Sequence, residues 1–231
     1  MDNKTIISQG ASSEASFISR VYLWMALGLT VSATTSFALM AQPALLQAIF
    51  TKPVLLIGIV VAEFALVIWL SAAAMRMGAS LASLLFLAYS ALNGVTLTAI
   101  FLAYTGVSVL TTFAVTAGTF LFFSVYGATT KKDLTSVGSL AMMGLIGMII
   151  ASVVNIFLKS PVVYWISTFI GIAVFLGLIA YDTQKLKNIR AMGFQDAEME
   201  KKSAILGALM LYLDFINLFI LLLRVFGKRR D

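Results

Sequence analysis

Seven apolar segments follow one another along this chain, and they constrain its fold more than any other feature. Each is about 20 residues long, and a helix of that length rises about 30 Å, the thickness of the hydrocarbon layer of a bilayer. Hydrophobic residues make up 61% of the 231 residues and charged residues only 11%, well below the usual charge content of soluble domains. Short polar turns separate the segments. We therefore predict an all-α membrane protein with seven transmembrane helices.

The seven predicted helices form a single domain. A polar segment at residues 1–20 precedes it, the transmembrane domain covers residues 21–225, and a basic tail follows at residues 226–231. The polar segment contains no cleavable hydrophobic signal, so the first helix is expected to act as its own insertion signal. The only substantial loop is predicted at residues 188–202. The predicted helices cover residues 21–41, 53–75, 79–104, 107–127, 137–158, 162–181 and 204–225.

Two residue types are missing altogether, since the chain has no histidine and no cysteine. Without histidine there is no base for a serine-type catalytic triad and no imidazole ligand for zinc. Without cysteine there is no disulfide and no thiolate metal site. We therefore expect no enzymatic activity and no tightly bound cofactor. The net charge of +6 does not indicate nucleic-acid binding, because the Lys and Arg residues lie at helix ends and in loops, where membrane topology explains them.

The distribution of Lys and Arg also predicts the orientation of the chain. With seven spans, ten of these residues share the side of the N-terminus and six lie on the other side, so the N-terminus is predicted to be cytoplasmic. A last segment that re-enters and returns the C-terminus to the cytoplasm changes the count to fourteen against two. The uninterrupted apolar length of residues 204–225 favours crossing, which we prefer. The six residues on the far side are Lys52, Lys159, Arg224, Lys228, Arg229 and Arg230.

Three acidic residues stand out because they interrupt or extend apolar helices. Asp214 lies ten residues after Ala204, roughly 15 Å along the helix axis and therefore near the middle of the bilayer. Glu63 lies equally far into the second helix, and Asp182 continues the sixth helix near the membrane surface. An acid at mid-depth costs several kcal/mol unless it is neutral, paired or hydrated, which makes it a functional candidate. For Glu63, a hydrogen-bonded acid between helices is an equal alternative to a role in a polar pathway.

Asp182 and Asp214 are most informative when they are considered together. Consecutive helices are antiparallel neighbours, so the two carboxyl groups can meet. Charge repulsion and loss of hydration then disfavour the ionisation of both groups, and the pair is expected to hold one proton near neutral pH. When that proton is lost, the carboxylates must separate, admit water or bind a cation. Calcium is one such cation, although two carboxylates and the nearby Asn217 form only a weak site.

Three stretches of the sequence are similar to signature stretches of a known family. They are TAGTFLFFSVYGATTKKDL at residues 116–134, AYDTQKL at residues 180–186 and LYLDFINLFILLLR at residues 211–224. Their order and content resemble the Bax inhibitor-1 family, also called the transmembrane Bax-inhibitor-motif family, and the short N-terminus resembles its bacterial branch. The resemblance implies a seven-helix bundle in the bacterial inner membrane. It also implies that the last helix is central and is wrapped by helices one to three and four to six.

The function implied by the resemblance is a pH-sensitive calcium leak across the membrane. Protonation of Asp182 and Asp214 gates the leak, and calcium is the transported ion. The basic residue of the family's second helix falls nearest Arg76, which from the sequence alone is better explained as an interfacial anchor. The expected partners are the lipid bilayer, calcium and protons, with other membrane proteins in one alternative and no nucleic acid.

Alternative functions use the same features of the sequence. A cation/proton exchanger needs the same two acids with obligatory coupling, and a membrane interaction protein that modulates a protease or a cell-death pathway needs neither. The dipeptide Tyr181-Asp182 also occurs in intramembrane aspartyl proteases. Such an enzyme is disfavoured because Asp214 lies in Leu-Asp-Phe and not in the Gly-x-Gly-Asp motif of those proteases. An interaction protein is distinguished by whether its function survives the loss of both aspartates, and calcium flux into proteoliposomes at two pH values is the most informative single measurement.

Overall fold

The structure, a computed structural model, describes the backbone of residues 3–230 and the side chains of residues 17–230. The side chains of most of the predicted polar segment, residues 1–16, and the final residue of the predicted basic tail therefore lie outside the described residues. The fold is all-α, as predicted, and the described part of the chain contains seven helices long and apolar enough to cross a membrane. In the hydrocarbon layer only such helices satisfy every backbone hydrogen bond within one segment.

Within residues 3–230 there are eight α-helices, of which seven follow the predicted segments closely and one is a short addition. The additional helix, α2, lies between the first two spans and begins at Pro43, whose fixed φ suits the first turn of a helix. A short 3-10 helix, Ala74–Arg76, follows α3. The α-helices are α1 (Asn3–Met40), α2 (Pro43–Phe50), α3 (Pro53–Ala73), α4 (Ala79–Ala103), α5 (Gly106–Thr129), α6 (Thr135–Leu158), α7 (Pro161–Ala191) and α8 (Ala197–Phe226).

The loop predicted at residues 188–202 is much shorter in the structure. Helix α7 continues to Ala191 and ends where Gly193 adopts a left-handed φ of 81°. Helix α8 already begins at Ala197, because Asp196 accepts a hydrogen bond of 2.6 Å from the Met199 amide and so caps the first turn. The sequence prediction was wrong here because the polar residues after Asp196 were assigned to the loop, whereas they form the water-exposed start of α8.

Two compact units make up the chain. The first contains residues 1–103 and 190–212, and the second contains residues 104–189 and 213–231. Spans one to three thus fall in the first unit and spans four to six in the second, which is the grouping that the resemblance implied. Helix α8 contributes to both units and is the most buried span. In its most apolar stretch 72% of the residues are buried, against 6 to 39% in the other spans.

In the first unit, hydroxyl groups hold α1, α4 and the first half of α8 together. The Tyr212 hydroxyl donates to Asn93 Oδ1 at 2.9 Å and lies 2.7 Å from Ser32 Oγ. Ser32 Oγ in turn donates to the carbonyl oxygen of Ser90 at 2.7 Å. A Cβ at Gly94 would collide with the backbone of Ser32, so only glycine permits this close approach of α1 and α4. Polar side chains and close packing replace the hydrophobic effect as the source of helix association.

Replacement of Tyr212 by phenylalanine tests this network. We expect the unfolding free energy in detergent to fall by about 1–2 kcal/mol, because Asn93 and Ser32 lose their shared partner in a buried site. The exposed Tyr126 provides the control, and Tyr126→Phe should change stability by less than about 0.5 kcal/mol. Equal effects of the two substitutions would show that the network adds nothing to stability.

In the second unit, the residues after α8 fold back onto the turn between α4 and α5. The Thr105 amide donates to the carbonyl oxygen of Lys228 at 3.0 Å, and the Lys228 amide donates to Ser108 Oγ at 2.9 Å. Helix α5 starts at this turn and rises about 36 Å over its 24 residues before the loop at residues 130–134. Residues 227–230 therefore lie at the opposite end of the unit from that loop. Helix α8 is uninterrupted, and it is long and apolar enough to cross a membrane.

Candidate functional site

The structure brings Asp182 and Asp214 together. Asp182 lies on α7, Asp214 lies on α8, and the two side chains are within hydrogen-bonding reach of each other. The Asp214 side chain is almost completely buried, with 5% of the residue exposed, whereas Asp182 is half-buried. The positively charged Lys185 also lies close to Asp182, one turn further along α7. Sequence reasoning therefore identified a real juxtaposition of two acids inside the second unit.

One oxygen of this pair has no donor. Asp214 Oδ2 is buried and accepts no hydrogen bond from any described donor, and it is the one buried side-chain atom of the described residues in that condition. A buried acceptor without a partner costs free energy unless a proton, water or cation satisfies it. Two facing carboxylates cannot hydrogen-bond each other unless one of them carries a proton. The arrangement thus suits a shared proton, and loss of that proton leaves two like charges in an apolar setting.

Close helix packing fixes the position of Asp182. A Cβ at Gly127 on α5 would collide with the backbone of Ala180, two residues before Asp182. A Cβ at Gly138 on α6 would lie 2.6 Å or less from the ring of Tyr181. Glycine at both positions lets α5 and α6 approach α7 at the level of the acid. The rotation of α7 that points Asp182 at α8 is therefore set by backbone contact.

The part of α7 beyond Asp182 is bound to the loop between α5 and α6. Gln184 accepts a hydrogen bond from the Leu134 amide at 2.9 Å and donates one to the carbonyl oxygen of Lys132 at 2.9 Å. Lys187 Nζ donates to the carbonyl oxygen of Ala128 at 2.7 Å. These contacts satisfy backbone groups at the end of α5 and the start of α6, which no helix partner reaches. They hold the polar end of α7 in place just past the acid.

The residue after Asp214 on α8, Phe215, takes part in an aromatic cluster. Phe215 contacts Phe113 and Phe120 of α5 edge-on, with ring centroids 5.3 and 5.6 Å apart. Such pairs add favourable contact energy and exclude water from their surroundings. These aromatic contacts hold α8 against α5 at the level of Asp214.

Asn217 does not join the pair of acids. Its amide nitrogen donates to the carbonyl oxygen of Leu213 at 2.8 Å, one turn earlier on α8. Its side chain instead lines a cavity of about 80 Å³ together with Ser152, Ser167 and Arg224. A cavity of this size has room for two or three water molecules. The suggested oxygen ligand thus belongs to a separate polar space within the same unit.

Glu63 and Arg76 belong to the first unit. Glu63 Oε1 accepts a hydrogen bond of 3.0 Å from Thr96 on α4, so the carboxyl group turns toward a neighbouring helix. Arg76 is exposed at the end of the 3-10 helix and has no ion pair with any described acid. These positions match a hydrogen-bonded acid and a residue at a helix end. No cluster of three or more metal-binding acids occurs among the described residues.

Sequence reasoning missed the residues that hold the pair in position. Gly127 lies within the stretch used for the family resemblance, but nothing in the sequence indicates that it touches Ala180, because the two residues are 53 positions apart. From the sequence, Gln184 and Lys187 were interpreted only as residues that favour a helix. Their hydrogen-bond partners are backbone atoms, which no sequence pattern indicates. The one signal available in the sequence was a small residue, glycine, within a transmembrane helix, which often marks a close contact between helices.

Comparison with known proteins gives the same assignment as the motifs. A family model described as "Inhibitor of apoptosis-promoting Bax1" matches residues 14–231. The inner membrane protein YbhL of Escherichia coli strain K12 is 47% identical over 225 residues, which cover 97% of this chain and 96% of that protein. An uncharacterized membrane protein of Streptococcus pyogenes serotype M1 is 35% identical over 231 residues, which cover 99% of both chains. The chain is a multi-pass membrane protein that belongs to the Bax inhibitor family.

Proposed function

We propose that this protein is a pH-sensitive leak pathway for calcium or similar cations, and not an enzyme. The single observation that carries the proposal is the contact between Asp182 and Asp214, with one buried oxygen that has no donor. In the closed state the pair shares one proton. Loss of the proton places two negative charges in an apolar setting, and the resulting repulsion opens a route that water and a divalent cation can enter.

The sign of the pH dependence follows from this arrangement. The closed state binds one more proton than the open state, so acidification favours closure and alkalinisation favours opening. A one-proton difference changes the ratio of open to closed molecules by at most about tenfold per pH unit.

Calcium flux in proteoliposomes tests the proposal. We expect faster calcium entry at pH 8 than at pH 6, with a ratio of several-fold, in vesicles that contain the purified full-length protein. Empty vesicles and vesicles with heat-unfolded protein provide the background. Flux that is absent at both pH values would remove the proposed function and leave the interaction protein as the explanation. Flux that stops when a proton ionophore collapses the pH gradient would instead identify a coupled exchanger.

We also propose a cytoplasmic N-terminus, since ten of the sixteen Lys and Arg residues then lie on the cytoplasmic side. The name of the E. coli relative supports an inner-membrane location. Protease accessibility in spheroplasts tests the orientation. The loop at residues 130–134 should be protected from an external protease, whereas the turn at residues 104–105 faces it.

A further inference from the structure

One end of the second unit is rich in positive charge. Helix α5 begins there, α6 ends there, and the residues after α8 fold back onto it. Among the residues that the structure describes, no acid of the second unit lies at this end, because Asp133, Asp182 and Asp214 are at the other end or in the middle. The basic residues at this end are Lys159, Arg224, Lys228, Arg229 and Arg230.

The segment that carries three of these charges is fixed in position. Its backbone is hydrogen-bonded to Thr105 and Ser108 through both polar groups of Lys228. Gly227 lies against the ring of Tyr104, and an added Cβ would approach the Cδ1 of that ring to 2.6 Å. The arginine side chains therefore start from a defined backbone and are not on a freely moving chain end.

Two of the arginines lie on tyrosine rings. The Arg224 guanidinium group is 5.3 Å from the centre of the Tyr164 ring, and that of Arg229 is 5.9 Å from the centre of the Tyr104 ring. The Arg229 guanidinium group also lies close to the hydroxyl groups of Tyr104 and Tyr164. A guanidinium group that lies over a ring keeps the N–H donors of its edge available, in the planar fork that matches a phosphate.

The position of this cluster relative to the bilayer indicates which anion it can bind. Arg224 lies two residues before the end of α8, and Tyr104, Tyr164 and Trp165 stand at the same end of the unit, as in the aromatic belts that mark the headgroup region of a bilayer. At that depth the abundant anion is the phosphodiester of a lipid. Five basic residues against the single acid Asp231 in this part of the sequence leave a net positive charge, which favours an anionic headgroup over a zwitterionic one.

We propose that Arg224 and Arg229, supported by Tyr164 and Tyr104, form a binding site for the phosphate of an anionic phospholipid. Lys228 and Arg230 add to the positive field around the site and are not required for its geometry. This site is independent of the two acids and of the proposed leak. It also gives a physical reason for basic residues on the side of the membrane that the charge count leaves poor in Lys and Arg.

Lipid titration of the purified full-length protein in a neutral detergent tests the site. The probes are phosphatidylglycerol, phosphatidylcholine and inorganic phosphate, and the readouts are the apparent dissociation constant and the shift in Tm. Phosphatidylglycerol should bind and raise Tm, and Arg224→Gln with Arg229→Gln should weaken its binding by about 25-fold, or fivefold per charge. The control Lys131→Gln with Lys132→Gln removes the same charge at the opposite end and should change binding less than twofold.

Three results would overturn the site: equal loss of binding in the control, unchanged binding in the double arginine variant, or equal binding of phosphatidylcholine. Displacement of phosphatidylglycerol by millimolar inorganic phosphate would reject a lipid as the ligand and identify a site for free phosphate. If the double variant does not fold, Arg229→Gln alone decides the question. That side chain is exposed, so its loss should weaken phosphatidylglycerol binding about fivefold and leave Tm in phosphatidylcholine unchanged.

Discussion

Replacement of Asp214 by asparagine is expected to abolish the pH dependence of calcium flux. Wild-type flux should change by up to about tenfold per pH unit, whereas the variant should change less than about twofold between pH 6 and pH 8. The amide keeps the size of the side chain but cannot lose a proton, so the equilibrium between a shared proton and two carboxylates no longer exists. Asp182→Asn should have the same effect, and the double variant should add nothing further, because the two acids act as one unit.

Asp133 provides the matched control for these variants. It lies in the loop at residues 130–134 and is exposed, and the hydrogen bond from the Thr135 hydroxyl lowers its pKa below the ordinary value. It therefore stays ionised throughout the measured range, and Asp133→Asn should leave the pH response unchanged. A full pH response in both Asp182→Asn and Asp214→Asn would contradict the proposed gate. An altered response in Asp133→Asn would point to a general effect of charge.

The largest effect on stability is expected from Gly127→Val. A Cβ at this position would lie 2.9 Å from the Cα of Ala180 and closer still to its carbonyl oxygen, so the clash is with backbone, which cannot rotate away. Overpacking of a core costs about 1–3 kcal/mol even where side chains can move. We therefore expect a loss of more than about 3 kcal/mol, visible as loss of the folded fraction in detergent by size-exclusion chromatography.

Gly118 on the same helix is the control for this substitution. A Cβ there meets no heavy atom within 4 Å, and Gly118→Val should leave the folded fraction unchanged. If Gly127→Val were as stable as Gly118→Val, α5 and α7 would not be in the contact described here. If Gly127→Val folds in part, its pH response should be weakened as well, because the displacement of Ala180 also moves Asp182.

The sequence was sufficient to predict the transmembrane spans and the proximity of Asp182 and Asp214. The length of an apolar segment determines whether it can cross a bilayer as a helix. An acid such as Asp214 carries a high free-energy cost in the bilayer unless a partner lies beside it. Asp182 could be named as that partner because a short connection makes consecutive helices antiparallel neighbours. Short-range signals of this kind do not depend on the tertiary structure.

Other features depend on contacts between distant parts of the chain. Tyr212 and Ser32 are 180 residues apart, and nothing in either neighbourhood indicates that their hydroxyl groups meet. The fold-back of Lys228 onto Thr105 involves backbone atoms and therefore has no side-chain pattern to detect. The loop before α8 was predicted to be too long, because its polar residues were assumed to lie outside any helix. Asp196 in fact caps the polar first turn of α8. In each case the missing information is which surfaces face each other.

Gln184 and Lys187 hold the polar end of α7 near the loop at residues 130–134. The distance between the pair of acids and water therefore differs between the two sides of the membrane. Lys187 lies five residues after Asp182, about 8 Å along α7, while the other end of that helix at Pro161 is about 32 Å away. A proton that leaves the pair thus reaches water by a short path on the side of Lys131 and Lys132 and by a long apolar path on the other. If the protein acts as the proposed leak, its flux should therefore respond to the acidity of one compartment and not to that of the other.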